Sequence, residues 1–102
     1  MRKALIRYTV KDEHASENER YIRAVFDQLV HEAPNGIHYA SFKLADGVSF
    51  VHIVSTDDFV ETNPLGELSS FKAFTAGVQD RCKSQPVITE LEEIGSYRFF
   101  GQ

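Results

Sequence analysis

Ile37-His38-Tyr39-Ala40-Ser41-Phe42-Lys43-Leu44, then Ala45-Asp46-Gly47, then Val48-Ser49-Phe50-Val51-His52-Ile53-Val54-Ser55, reads as one β-hairpin. Both arms are rich in β-branched and aromatic residues, which suit a pleated, half-buried surface. Asp-Gly between them is a strong signal for a tight two-residue turn. With Asp46 and Gly47 as the turn residues, Ala45 falls opposite Val48 and Phe42 opposite Val51. One face then gathers Ala40, Phe42, Leu44, Val51 and Ile53, with His38 and Ser55 at its end. The other gathers Tyr39, Ser41, Lys43, Val48, Phe50, His52 and Val54. The first face is expected to be core. The second carries Tyr39, Phe50 and Val54, which are too large and apolar to suit open water together.

The residues before the hairpin predict a strand from Lys3 to Val10 and then a helix. Ser16 followed by Glu19 has the spacing of a capping box. Tyr21, Ile22, Val25, Phe26, Leu29 and Val30 fall on one helical stripe, and Pro34-Asn35-Gly36 ends it. Beyond the hairpin, 56–66 is irregular, acidic at Asp57-Asp58 and interrupted by Asn63-Pro64. A second helix is expected from about Glu67 to Cys82, with Leu68, Phe71, Phe74 and Val78 facing inward. Val87 to Phe100 reads as a closing strand, in one piece or bent at Gly95. The order is βαββαβ, an α+β chain. Right-handed crossovers give it a ferredoxin-like antiparallel sheet in the order 4-1-3-2.

Composition narrows the function classes. The 102 residues fit a single domain over 1–102. A formal charge of −4, with no clustered bases, does not suit a nucleic acid backbone. One cysteine, Cys82, rules out an internal disulfide and a cysteine-rich metal knuckle. No stretch reaches the roughly 20 apolar residues that span a bilayer. The start of the chain, Met1-Arg2-Lys3, leads straight into strand-like sequence without a signal peptide, so a cytoplasmic location is expected. No metal site is expected, since His14 and His31 lie near opposite ends of the first helix and His38 and His52 on opposite sheet faces.

Both helices of this topology lie on one side of the sheet. The uncovered side, together with the aromatic tail Tyr97-Arg98-Phe99-Phe100, predicts a homodimer, because one two-fold interface covers both features.

The βαββαβ order, Val48-Ser49-Phe50-Val51-His52, Asn63-Pro64-Leu65, Phe71 to Phe74 and the closing strand together resemble the antibiotic-biosynthesis-monooxygenase-like family of the dimeric α/β-barrel superfamily. The resemblance covers nearly the whole chain. It implies two sheets packed face to face as a barrel, helices outside, and a small pocket between sheet and helices in each subunit. It further implies relatives that include oxygenases needing no cofactor, haem degraders and proteins of unknown role. The chain has no Trp, which the resemblance implies near the substrate of both the polyketide oxygenases and the haem degraders, and no His between Glu67 and Cys82, where the haem degraders place one.

His52 is the first candidate for chemistry, with Ser41 opposite it and Tyr39 diagonal to it. A His beside hydroxyls in a semi-apolar pocket can carry a proton or hold a phenolate. Asn63 can donate to a ligand carbonyl at a pocket mouth. Phe50, Phe71, Phe74 and Tyr21 are candidates to line an aromatic site. Two readings follow. In one, His52, Tyr39 and Asn63 serve a monooxygenase that needs no cofactor and acts on an apolar or aromatic small molecule. In the other, the same residues stabilise a non-catalytic ligand-binding or regulatory dimer.

Overall fold

A computed structural model describes residues 2–99. Its elements are β1 (Arg2–Val10), α1 (Ala15–Glu32), β2 (Ile37–Lys43), β3 (Ser49–Thr56), α2 (Ser69–Arg81) and β4 (Cys82–Leu91), with 3-10 turns at Asp12–His14 and Pro64–Glu67. The sheet is antiparallel in the order β2-β3-β1-β4, which is the expected 4-1-3-2.

The hairpin has the expected register, with Phe42 opposite Val51 and Ser41 opposite His52. Its turn is wider than expected. The ladder stops at Lys43 and Phe50, and Leu44 N–H still reaches the Ser49 carbonyl at 2.8 Å. The Asp46 carboxylate ties the loop by accepting from the backbone of Val48 and Ser49 and from the Ser49 hydroxyl. Those donors hold its pKa below the usual carboxylate range, the hydroxyl foremost.

The two faces are reversed relative to expectation. Tyr39, Phe50 and Val54 pack under the helices with Tyr8, Val10, Ile22, Val25, Leu65, Leu68 and Phe74. Ala40, Phe42, Val51 and Ile53, expected in the core, lie on the face without helices, beside Leu5 and Arg7 of β1. Phe42 is 47% exposed. Period-2 alternation groups side chains by face but does not say which face a helix covers. The Tyr-Ser-His face is buried because partners elsewhere in the chain satisfy its polar atoms.

Helix α1 begins earlier than its capping box implied. The preceding 3-10 turn runs directly into it, His14 takes the N-cap position, and no side chain caps the helix. Glu19 instead binds Arg23 at 2.8 Å and Lys43 at 3.1 Å. Val30 points outward and is 82% exposed, because the core-facing stripe has rotated past it by the last turn. The helix closes on Ala33 in the left-handed region. Gly36 (φ 82°) follows, where a Cβ would lie 2.2 Å from Val60 Cγ2, so the bend needs glycine.

Strand β4 starts at Cys82, not Val87, and ends at Leu91. It leaves α2 without a loop, because the long edge of β1 is available to pair with it. Val10 meets Cys82, Thr9 meets Ser84 and Arg7 meets Val87, so two extra β4 residues are accommodated, one at Lys83 and one at Gln85-Pro86. A bulge is where a residue lacking an N–H is tolerated in a strand. Residues 92–99 are not strand. They return beside Lys3 and Ile53, with Lys3 Nζ 3.3 Å from Glu93. Phe100 lies outside the described residues.

Candidate functional site

His52 is buried (2% exposed) at the centre of the helix-covered face. Three strands set flat rings side by side there, in the order Tyr39, His52, Tyr8, Phe50, with centroid separations of 5.8, 5.3 and 5.6 Å. Phe26 of α1 stacks on Tyr39 at 5.1 Å and Phe74 of α2 tilts against His52 at 5.6 Å. Such offset ring contacts add roughly 0.5–1.5 kcal/mol each beyond area burial.

Both imidazole nitrogens are engaged. Nε2 is 2.7 Å from Tyr8 Oη; Nδ1 is 2.6 Å from Ser41 Oγ and 2.8 Å from Tyr39 Oη. The network continues to Asn18 Nδ2, 2.9 Å from Tyr8 Oη, and to Arg81 Nε, 3.1 Å from Asn18 Oδ1. Its direction follows from the chemistry of its ends. A guanidinium only donates, so the Asn18 oxygen faces Arg81 and the Asn18 amide donates to Tyr8. Tyr8 then directs its own hydrogen to His52 Nε2. The ring therefore carries its proton on Nδ1, which donates toward Ser41 and Tyr39.

Burial reinforces this assignment. It pushes the His52 pKa down to about 4, so the ring is neutral at pH 7. Burial likewise pushes Tyr39 up to about 12 and Tyr8 higher still, so both phenols keep their hydrogens.

Arg81 is the one buried charged side chain among the described residues. Among them no carboxylate reaches it. Its charge is met by the Phe74 carbonyl at 2.8 Å, by Asn18, and by the rings of Tyr21 at 4.5 Å and Phe74 at 5.4 Å. Gly77 makes room: a Cβ there would stand 2.9 Å from Arg81 Nη1.

Beside this network an open cleft of about 390 Å³ separates α1 from the hairpin. Ile22, Phe26 and Phe50 give it an apolar wall, Ser41 borders it, and Glu19, Arg23, Asp27 and Lys43 form its rim. A smaller hollow of about 220 Å³ lies on the other side of Phe26 and Tyr39.

The structure thus brings His52, Tyr39, Ser41 and Phe50 together. Phe74 and Tyr21 sit behind them, against His52 and Arg81, and Phe71 packs on Phe74 at 6.1 Å. Asn63 is elsewhere. Its Oδ1 accepts from Leu65 N–H at 3.0 Å, capping the 3-10 turn, and it borders a different hollow with Ala4, Val54 and Ile88. Tyr8, Asn18 and Arg81 were not expected at the site. One sequence signal was available: Asn18 precedes Ile22 by four and Val25 by seven, a polar residue on the buried stripe.

No family model and no curated protein matches the sequence. Solved structures do match the fold. An antibiotic biosynthesis monooxygenase superposes with a TM-score of 0.75 at 14% identity, over 93% of this chain and 100% of its own. A protein from Pseudomonas aeruginosa gives 0.74 at 20% identity, over 92% and 94%. SnoaB, a cofactor-independent oxygenase from Streptomyces nogalater, gives 0.67 at 12% identity, over 93% and 94%. The chain has the antibiotic-biosynthesis-monooxygenase-like fold. Among the described residues, no helix is long and apolar enough to cross a membrane.

Proposed function

We propose that this protein is a homodimer that binds an apolar or aromatic small molecule between α1 and the hairpin, and oxygenates it without metal or flavin. The observation that carries the binding reading is the cleft itself. It is concave, with Ile22, Phe26 and Phe50 on its wall, the hydroxyl of Ser41 at its border and four charged side chains on its rim; small-molecule sites likewise combine an apolar wall with placed polar groups. Oxygenation rests on the likeness to SnoaB. In a reaction without a cofactor the substrate supplies the electrons: an activated CH2 plus O2 gives C=O plus H2O.

In this reading Ser41 presents a hydrogen bond to the ligand, with Phe50 in the wall and Tyr39 behind it on His52 Nδ1. His52 acts through Ser41, holding the two hydroxyls in place and passing on changes in their protonation. Tyr21, Phe71 and Phe74 keep the inner side of the site dry, and Asn63 serves the rim of the separate hollow. A second reading, a non-catalytic ligand-binding or regulatory dimer, is favoured by the sealing of His52, whose nitrogens are both occupied from within the chain.

Dioxygen uptake with a tricyclic substrate bearing one activated methylene decides between them. The oxygenase reading expects uptake above the uncatalysed rate, one O2 per ketone formed, reduced at least tenfold by Ser41→Ala. Saturable binding with uptake no faster than in buffer would leave the binding dimer. Absence of both removes the cleft from consideration.

A further inference from the structure

We infer that Asn35, in the turn joining α1 to β2, is a site of spontaneous modification: in the folded protein its side-chain amide is converted to a mixture of aspartate and isoaspartate. The cleft plays no part in it. What singles the residue out is how the fold holds each position where the reaction could start.

The Gly36 backbone nitrogen gives up its proton to solvent base and attacks Asn35 Cγ. A bond forms between that nitrogen and Cγ, the bond from Cγ to Nδ2 breaks, and ammonia leaves with a proton from water. Water then opens the five-membered imide at either carbonyl. Opening at Cγ leaves aspartate. Opening at the backbone carbonyl leaves isoaspartate, whose chain runs through Cβ and Cγ. The net change is amide plus water to acid plus ammonia, with nothing oxidised or reduced.

Packing imposes the susceptible pair, since a Cβ at Gly36 would collide with Val60 and Phe59, and glycine leaves its own nitrogen unshielded. Asn35 is exposed. Among the described residues neither its amide nor the Gly36 N–H has a hydrogen-bond partner. The other positions are closed. Asn18 is buried in α1 with both ends of its amide engaged. Asn63 precedes Pro64, whose nitrogen carries no hydrogen. Asp46-Gly47 also has its glycine at positive φ (78°), yet Gly47 N–H donates to the Leu44 carbonyl at 3.0 Å and the Asp46 carboxylate accepts from Val48 and Ser49. Isoaspartate at 35 adds a carbon to a link fixed at both ends, by Ala33 N–H on the Leu29 carbonyl at 2.8 Å and by Asp57 N–H on the Gly36 carbonyl at 2.9 Å. It therefore pulls on the start of β2, the strand that carries Tyr39 and Ser41 to His52.

The test holds the full chain in mildly alkaline buffer, native and in urea, and follows each site by peptide mapping. Native Asn35 is expected to convert within about threefold of its rate in urea, because a segment without protecting bonds opens at almost no cost. Asp46 is expected to isomerise about tenfold or more slowly in the native protein than in urea, and Asn18 to change only in urea. Asn35→Gln, which would need a six-membered ring, should abolish the native mass gain. The isoaspartyl form, separated by chromatography, should unfold at lower urea than Asn35→Asp. Native Asn35 that stays intact while it converts in urea, or a mass gain that survives Asn35→Gln, overturns the inference. Equal urea midpoints overturn its effect on β2.

Discussion

His52 is neutral because its surroundings cannot solvate a charge, and that has a sign. Its folded pKa of about 4 lies below the unfolded value of 6.5, so between these values the unfolded chain takes up a proton that the folded chain refuses. Stability is therefore full above about pH 6.5 and falls as the pH drops toward 4, by about 3 kcal/mol at about 1.4 kcal/mol per pH unit. Urea midpoints measured across that range should fall less steeply in His52→Gln than in wild type; parallel curves would show that His52 does not carry the effect. Asn18 sets the direction of the network, and two substitutions separate its roles. Asn18→Ala orphans Arg81 Nε and one bond to Tyr8 Oη, and should cost about 2–4 kcal/mol in chemical denaturation. Asn18→Asp still accepts from Arg81 but must also accept from Tyr8, so the His52 proton should move from Nδ1 to Nε2, visible in the ring 15N shifts. The Ser41–His52 pair was legible from the hairpin, because register fixes cross-strand neighbours. Tyr8 and Arg81 were not, since their contacts join residues 44 and 63 apart through helix-on-sheet docking, which has no local sequence signature.

At the scale of elements, α2 shows local preference giving way to a tertiary demand. Gly77 weakens a helix interior by about 1 kcal/mol relative to alanine, yet it lies half-buried where Arg81 must fold back, and a Cβ would press on Nη1. Gly77→Ala should therefore stabilise the Arg81→Ala protein by about 1 kcal/mol and fail to stabilise the wild-type protein. A double-mutant cycle in urea measures this, and equal gains in both backgrounds would separate the glycine from the arginine. The same contrast explains what was readable in the chain. Helix stripes, the hairpin and the strand order come from periodicity and turn chemistry, which are local. The start of β4 was missed because Lys83-Ser84-Gln85-Pro86 looks like a loop, and only the unpaired edge of β1 makes it strand. The covered face was misassigned for a related reason. Tyr39, Ser41 and His52 look too polar for a core until Tyr8 and the aromatic faces of α1 and α2 are placed over them.

For the whole molecule, reversing the faces leaves the argument for a second copy in place but changes the residues that make it. Helices cover one side of the sheet. The other side presents Leu5, Ala40, Phe42, Val51 and Ile53, and Val87 is 63% exposed beside them. The returning segment after β4 meets this face at Lys3 and Ile53, leaving Phe42 and Val51 outside it. An antiparallel sheet whose free face meets water should alternate apolar with polar residues; here Leu5, Ile53 and Ala40 lie next to one another across β1, β3 and β2, with Arg7 between Val51 and Val87, and an apolar patch of this kind is what an association surface uses. A two-fold axis through it would bring the same residues from both chains together. The protein should then sediment at twice the 11.6 kDa of one chain at micromolar concentration. Val51→Glu, which sets a carboxylate opposite Arg7 on that face so that an interface would have to bury both charges, should shift it to a single chain that still unfolds cooperatively. Substitution at Tyr39 or Phe50, the residues the hairpin alone would assign to the interface, should lower stability without changing the sedimenting mass. A wild-type particle of 11.6 kDa, or a Val51→Glu protein that remains paired, would mean that this face is not where two copies meet.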